Sequence, residues 1–512
     1  MTVQIIVNNV WSRIRNLNDI QIVDALDRET SFYVEGYQYT KAFREGYYDK
    51  KRGTFVHWDG KRHLVTSKLV FPTGLLSKVE KFLVRQKQEY EILDQRFTPD
   101  LGEPLKIYHY IPRPYQEEAL QAAFNYGRGI IRMGTGSGKT LVAGMIVAKY
   151  NLPTMIYVVG KDLLYQFHRE MEKCLKTKIG MIGDGHCDIK KINVCSVWTA
   201  ITSFNLKQAV SLDDEDWTPE VVKVGSKEKQ KIRKAIEDSN LAIYDEAHFL
   251  ATDTIQSIFK AGKKCRFLFG LSGTDWRDDG ADLLMESVCG ERIYNMPSSE
   301  LIKKGFLVPA KISLLEVPPY HEVLPKHYAS VYSKYITNND IRNGMIEDSA
   351  RVLLKKGRKL LILVRYLNHG RELAKRLSDI PLFFVNGEVD GQTRESVKKD
   401  FERGNLKCLI ASSVFDIGVD ISSLDALILG GGGKSTVRAL QRIGRVIRLF
   451  PDKKDAIVVD FIDNARYLDK HSATRIAVYG TEPKFLLKFP KDFDHGKFKK
   501  PARLTKKLQT QM

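Results

Sequence analysis

Three stretches of the 512-residue chain hold residues whose types and spacing suit phosphate chemistry. The first is Gly134-Thr135-Gly136-Ser137-Gly138-Lys139-Thr140, which follows the apolar run GIIRM and precedes a helical pattern. Strand, glycine loop and helix in that order turn backbone N–H groups toward phosphate oxygens, and the helix N-terminus adds a favourable dipole. Lys139 is placed to reach β- and γ-phosphates, and Thr140 to hold Mg²⁺. The strict pattern wants Gly at position 133, where this chain has Met133, but the functional end of the loop is intact. The second stretch is Asp245-Glu246-Ala247-His248, after the apolar run LAIY. Asp245 would hold Mg²⁺ through water, and Glu246 would orient and activate the attacking water as general base. An acidic pair after a strand also suits a plain helix start; the phosphate loop upstream favours the chemical reading. The third stretch is Gln441-Arg442-Ile443-Gly444-Arg445-Val446-Ile447-Arg448. Arg445 and Arg448 are three apart, a spacing that puts them on one helix face. From there two arginines can stabilise charge on a γ-phosphate as arginine fingers. A solvated basic helix face is the competing reading; Gly444 among the basic residues argues against it.

These stretches need a scaffold that presents them together. Residues 111–300 contain the short apolar runs RGIIRM, TMIYVVG, INVCSV, LAIYDE and RFLFGLSG, alternating with helical patterns. Residues 301–480 repeat that logic with LLILVRY, LFFVNG, CLIASS, ALILGG and AIVVDFI. Buried runs at this spacing read as parallel strands. Two such blocks in series predict an α/β protein with two doubly wound parallel-sheet lobes. Residues 1–110 carry shorter alternating runs and one amphipathic helix, PTGLLSKVEKFLVRQKQEY, and read as a small α+β domain. The charged segment 206–239 reads as a surface loop and helix, and residues 481–512 as a basic, flexible tail.

Bulk properties narrow the partner. The formal charge is +19, which favours a polyanion, with nucleic acid ahead of an anionic membrane surface. No apolar run reaches transmembrane length, and no signal peptide is evident at the N-terminus. The six cysteines include no Cys-x-x-Cys pair, so the reading is reduced thiols in a cytosol, with neither a disulfide framework nor a structural metal. His186 beside Cys187 lacks a second pair at ligand spacing.

The motif set resembles superfamily-2 helicases over residues 110–465. GTGSGKT is similar to motif I, DEAH to motif II, Ser272-Gly273-Thr274 to motif III, Val414–Asp420 to motif V and QRIGRVIR to motif VI. The resemblance implies two RecA-like lobes, with ATP and Mg²⁺ as cofactors. It assigns Glu246, Asp245, Lys139, Arg445, Arg448 and Gln441 to catalysis, with Gly418 and Asp420 of motif V beside the nucleotide. Arg113-Pro114-Tyr115-Gln116 resembles the adenine-side motif, in which Gln116 would hydrogen-bond the base with Tyr115 nearby. The same residues could simply begin a helix. Ser272 and Thr274 would couple the nucleotide site to the nucleic-acid track. Lys161 and Thr199 stand where motifs Ia and Ib touch the nucleic-acid strand, although Gly160-Lys161 replaces the usual Pro-Thr. Within the superfamily, EGYQYTKAFREGYYDKKRGTF, LVFPTGLLSKVEKFL and GLSGTDWRDDG resemble phage branch-migration helicases of the UvsW type. That implies action on forks, Holliday junctions and R-loops, in a bacterial host cytoplasm.

The N-terminal region supports a nucleic-acid role independently. Lys41, Arg44, Lys50, Lys51, Arg52, Lys61, Arg62 and Lys68 intermix with Tyr37, Tyr39, Phe43, Tyr47, Tyr48, Phe55 and Trp58. Cations would meet phosphates, and aromatics would stack on exposed bases or wedge at a fork, unless those aromatics form the domain's own core. From 497 to 512 the chain holds six cations and no acid, which suits either a DNA clamp or a solubilising tail. The reading is therefore a monomeric, DNA-stimulated ATPase. An RNA helicase, a restriction-system translocase and an ATP-switched clamp without strand displacement are the alternatives.

Overall fold

The structure is a computed structural model. It describes residues 2–34, 36–49, 53–206, 224–247, 250, 253–273, 282–319, 327–412, 421–433, 436–491 and 493. Lys50, Lys51, Arg52, His248, Thr274, Gly418, Asp420 and the tail from 497 lie outside the described residues.

By internal contacts the chain forms two compact units. The first holds residues 1–132 and 139–295 apart from a few residues of the segment after 206. Its main sheet has eight strands, in the order His186–Asp188, Gly180–Gly183, Ile192–Ser196, Thr154–Val158, Leu241–Asp245, Phe267–Ser272, Arg128–Met133 and Arg292–Met296. All five runs marked in the sequence are strands here. The central ones pair in parallel and are buried throughout, as expected when helices cover both faces. The edge strand His186–Asp188 is antiparallel to its neighbour.

Residues 1–110, read from sequence as a separate domain, belong to this same unit. Their own sheet has the order Val70–Pro72, Trp11–Arg15, Val3–Val7, Tyr90–Asp94. The helix Leu76–Arg85 buries Val79, Phe82 and Leu83 on one face. Beside that face, Lys78 pairs with Glu286 at 3.1 Å and Lys81 with Glu291 at 2.5 Å. Gly74 comes so near the helix Asp282–Cys289 that an added Cβ would lie 2.3 Å from the Glu286 carbonyl oxygen.

The second unit contains residues 296–512 and, in addition, Met133–Gly138. Its seven-stranded sheet runs Leu382–Val385, Cys408–Ala411, Leu360–Leu363, Ala426–Leu429, Ala456–Asp463, Ala310–Val317, Phe485–Lys488. Leu360, Ile362, Ile410, Ile428 and Phe461 form one face of its core. The start of the expected flexible tail is ordered instead. Phe485–Lys488 pairs in parallel with Ala310–Val317, because Phe485 buries its ring and the backbone completes the sheet edge. Among the described residues, no helix is long and apolar enough to cross a membrane.

Candidate nucleotide and nucleic-acid sites

The phosphate loop begins where the strand Arg128–Met133 ends. Met133, which stands in place of the usual glycine, is fully buried and serves as a core residue of the sheet. The turn starts one residue later: the Gly134 N–H donates to Met296 O at 2.9 Å, and the Ser137 N–H to Gly134 O at 3.1 Å. Gly136 and Gly138 have φ of +85° and +83°, a conformation that glycine adopts freely. Lys139 and Thr140 form the first turn of the helix Lys139–Tyr150.

Asp245 closes the strand Leu241–Asp245 and is buried. Burial holds its carboxyl above the usual carboxylate range, the neighbouring Glu246 pushes it further up, and Lys139 pulls it down. The carboxylate oxygens of Asp245 and Glu246 fit a divalent cation, and the Lys139 ammonium beside them fits phosphate oxygens. Glu246 has φ of +54°, a strained conformation for a residue with a side chain. Ser272, of the expected coupling pair, ends the strand Phe267–Ser272 and is fully buried.

The adenine-side residues sit at the start of the helix Pro114–Tyr126. The Gln116 Oε1 accepts from the Arg113 N–H at 2.9 Å, and the Arg113 guanidinium donates to the Tyr115 hydroxyl at 3.0 Å. The helix-start reading is thus physically present. Gln116 caps the first turn, with both it and Tyr115 buried.

In the second unit, the helix Thr436–Val446 carries Gln441 and Arg445. Arg448 does not share a helix face with Arg445, contrary to the spacing argument. The helix stops at Val446, because the Val308 N–H donates to Ile447 O and Leu307 forms a bridge with Arg448 that draws the chain out. The glycine in QRIGRVIR has a steric cause. A Cβ on Gly444 would lie 2.2 Å from Thr135 Cβ, and one on Gly136 would lie 3.1 Å from Arg448 Cγ. Loop and arginine segment therefore approach within one compact unit.

The nucleic-acid candidates divide by exposure. Lys41 and Arg44 are exposed. Lys61 is half-buried and lies over the Tyr33 ring, while Arg62 donates to Gln256 at 3.1 Å and so ties the region to the rest of its unit. Lys161 pairs with Asp184 at 2.6 Å. Thr199, expected to touch the strand, is 3% exposed. Tyr37 packs edge-on against Phe43, and Trp58 donates to Lys61 O, so these rings are structural. Tyr39, Tyr47, Tyr48 and Phe55 are exposed. Tyr48 and Phe55 face each other across the antiparallel pair Tyr47–Asp49 and Thr54–Val56.

Two helicase-type family models match this chain. "Type III restriction enzyme, res subunit" covers residues 109–276, and "Helicase conserved C-terminal domain" covers 345–450. With two parallel α/β sheets and a phosphate loop that runs from strand to helix, the chain is a superfamily-2 helicase, an enzyme driven by ATP. It is 27% identical over 496 residues to the ATP-dependent DNA helicase UvsW of Enterobacteria phage T4, covering 88% of this chain and 92% of that one. It is also 26% identical over 424 residues to the DNA 3'-5' translocase XPB2 of Sulfurisphaera tokodaii, covering 75% and 88%. Among solved structures, a fragment of a putative HsdR subunit of a type I restriction enzyme from Vibrio vulnificus shares the fold. Its TM-score is 0.50 at 18% identity, covering 83% of this chain and 75% of that one.

Proposed function

We propose that this helicase unwinds or remodels branched DNA, such as forks, Holliday junctions and R-loops. The observation that carries the reading is similarity to a named DNA helicase over 88% of this chain and 92% of that one. The basic, aromatic N-terminal region supports it. In this reading the loop N–H groups and Lys139 bind the β- and γ-phosphates, and Thr140 and Asp245 hold Mg²⁺. The metal supplies neutralising charge at the phosphate oxygens. Glu246 takes a proton from the attacking water. Gln116 and Tyr115 bind on the adenine side, and Arg445 and Arg448 stabilise charge on the transferred phosphate. Ser272 and Thr274 link that chemistry to the DNA track.

The test compares ATP hydrolysis without nucleic acid and with single-stranded, duplex, forked and four-way-junction DNA, and with RNA. Strongest stimulation by branched DNA is expected. Preferential stimulation by RNA, or ATP-dependent binding without strand displacement, contradicts the proposal. Lys139→Ala and Glu246→Gln are each expected to abolish turnover while DNA binding, followed by anisotropy, survives.

A further inference from the structure

Four consecutive glycines, Gly430–Gly433, lead from the strand Ala426–Leu429 toward the helix Thr436–Val446. A glycine run is ordinarily the freest backbone in a chain. Here each of its four carbonyls accepts a hydrogen bond from a different side chain. Arg342 donates to Gly430 O and the Tyr332 hydroxyl to Gly431 O. Arg442 donates to Gly432 O at 3.4 Å, and Arg475 to Gly433 O at 2.8 Å. On its other side the Gly431 N–H donates to Leu363 O at 2.8 Å. A Cβ on Gly431 would lie 2.8 Å from the Arg365 backbone nitrogen, so the strap lies flat on the chain that follows Leu360–Leu363.

The donors are themselves fixed. Arg342 is fully buried and its Nε donates to Asp463 at 2.8 Å. Arg475, also buried, makes bonds of 2.9 and 3.0 Å to the two oxygens of Asp460. Both aspartates lie on the strand Ala456–Asp463. Burying two guanidinium–carboxylate pairs is costly and adds little net stability. A plain strand-to-helix connection does not need it. The strap leads into the segment bearing Gln441 and Arg445, and Arg442 reaches back from that helix to the strap.

We infer that Tyr332, Arg342 and Arg475 are positioning residues for ATP hydrolysis. They hold the glycine strap at one length and direction, and so set the register of the helix that carries Arg445. The inference rests on the reading of Arg445 as the group that stabilises the transferred phosphate. A catalytic group misplaced by about an ångström can lose about a hundredfold in rate. Nucleotide affinity, which comes from the phosphate loop, would be spared.

The experiment measures kcat and KM for ATP at saturating forked DNA, with a thermal melt of each variant. Tyr332→Phe removes one hydroxyl and keeps the ring. Arg475→Lys keeps the charge beside Asp460 but lacks the fork that reaches Asp460 and Gly433 O together. Tyr150→Phe removes a buried hydroxyl bonded to Ala123 O at 3.1 Å in the first unit, and serves as the comparator. The expected result is a fall in kcat of about tenfold or more in Tyr332→Phe and Arg475→Lys, with KM unchanged. Tyr150→Phe should keep the parental kcat. A folded Tyr332→Phe with parental kcat overturns the inference, as does an equal loss in Tyr150→Phe. If Arg445→Ala also keeps parental kcat, the underlying reading falls too; if Arg445→Ala is slow while Tyr332→Phe is not, only the positioning role falls.

Discussion

Glu246 and Asp245 show what side-chain type alone could and could not reveal. Their identity and place after a buried strand were legible, because a parallel sheet presents its chemistry at strand ends. The positive φ of Glu246 was not, since nothing in an acidic dipeptide marks strain. Arg448 is the opposite lesson. A three-residue spacing implies a shared helix face only while the helix continues, and here it ends at Val446. Arg445 alone stays on the helix, so it should carry the larger share of the rate effect. Arg445→Ala is expected to slow turnover roughly 10³-fold or more, the scale of arginine-finger losses, in steady-state ATPase assays with saturating DNA. Turnover near the parental rate would remove Arg445 from the chemistry. Arg342 and Arg475 were missed because a lone arginine in sequence reads as surface charge; only the structure shows their aspartate partners.

Among the elements, most buried strands of both sheets were legible because each is a short, continuous apolar run, but Ala310–Val317 was not, because its buried and part-exposed residues alternate. Gly180–Gly183, His186–Asp188 and Phe485–Lys488 were not legible either, because each is only three or four residues long and has no long apolar run to mark it. Attachment of residues 1–110 to the first unit was equally hidden, because it rests on contacts distant in sequence: the ion pairs of Lys78 and Lys81, the Arg62–Gln256 bond and the approach of Gly74 to backbone. Gly74→Val would force a side chain against the Glu286 and Ser287 carbonyls, at a cost of about 1–3 kcal/mol. A melting point lower by a few degrees is expected in calorimetry, and an unchanged melt would show that the contact yields. The strands Tyr47–Asp49 and Thr54–Val56 make the opposite prediction. Replacing both Tyr48 and Phe55 by Ser removes two exposed rings and no core. Fork unwinding should fall, while the thermal midpoint and the ATPase rate on single-stranded DNA hold. Unwinding at the parental rate would exclude base stacking by these rings.

The whole molecule carries a charge of +19, and binding driven by phosphate neutralisation must weaken with salt. Affinity for duplex DNA is expected to fall on the order of 10³-fold between roughly 50 and 200 mM salt, measured by anisotropy. Salt-insensitive binding would mean that the positive charge serves something else. Two α/β units were foreseeable from the repeated pattern of apolar runs. The approach of Thr135 to Gly444 and of Gly136 to Arg448 was not, because residues some three hundred positions apart carry no mark of it in their order along the chain. The pairing of Phe485–Lys488 with Ala310–Val317 has a consequence for biosynthesis. Ala310–Val317 is the earliest strand of its sheet to be translated, and the strand that covers its outer side is the last. Until then that side presents open N–H and C=O groups, a template for another chain. A product ending at residue 480 would retain every motif of the reaction and still tend to associate. Its failure would be one of solubility, although its chemistry was complete.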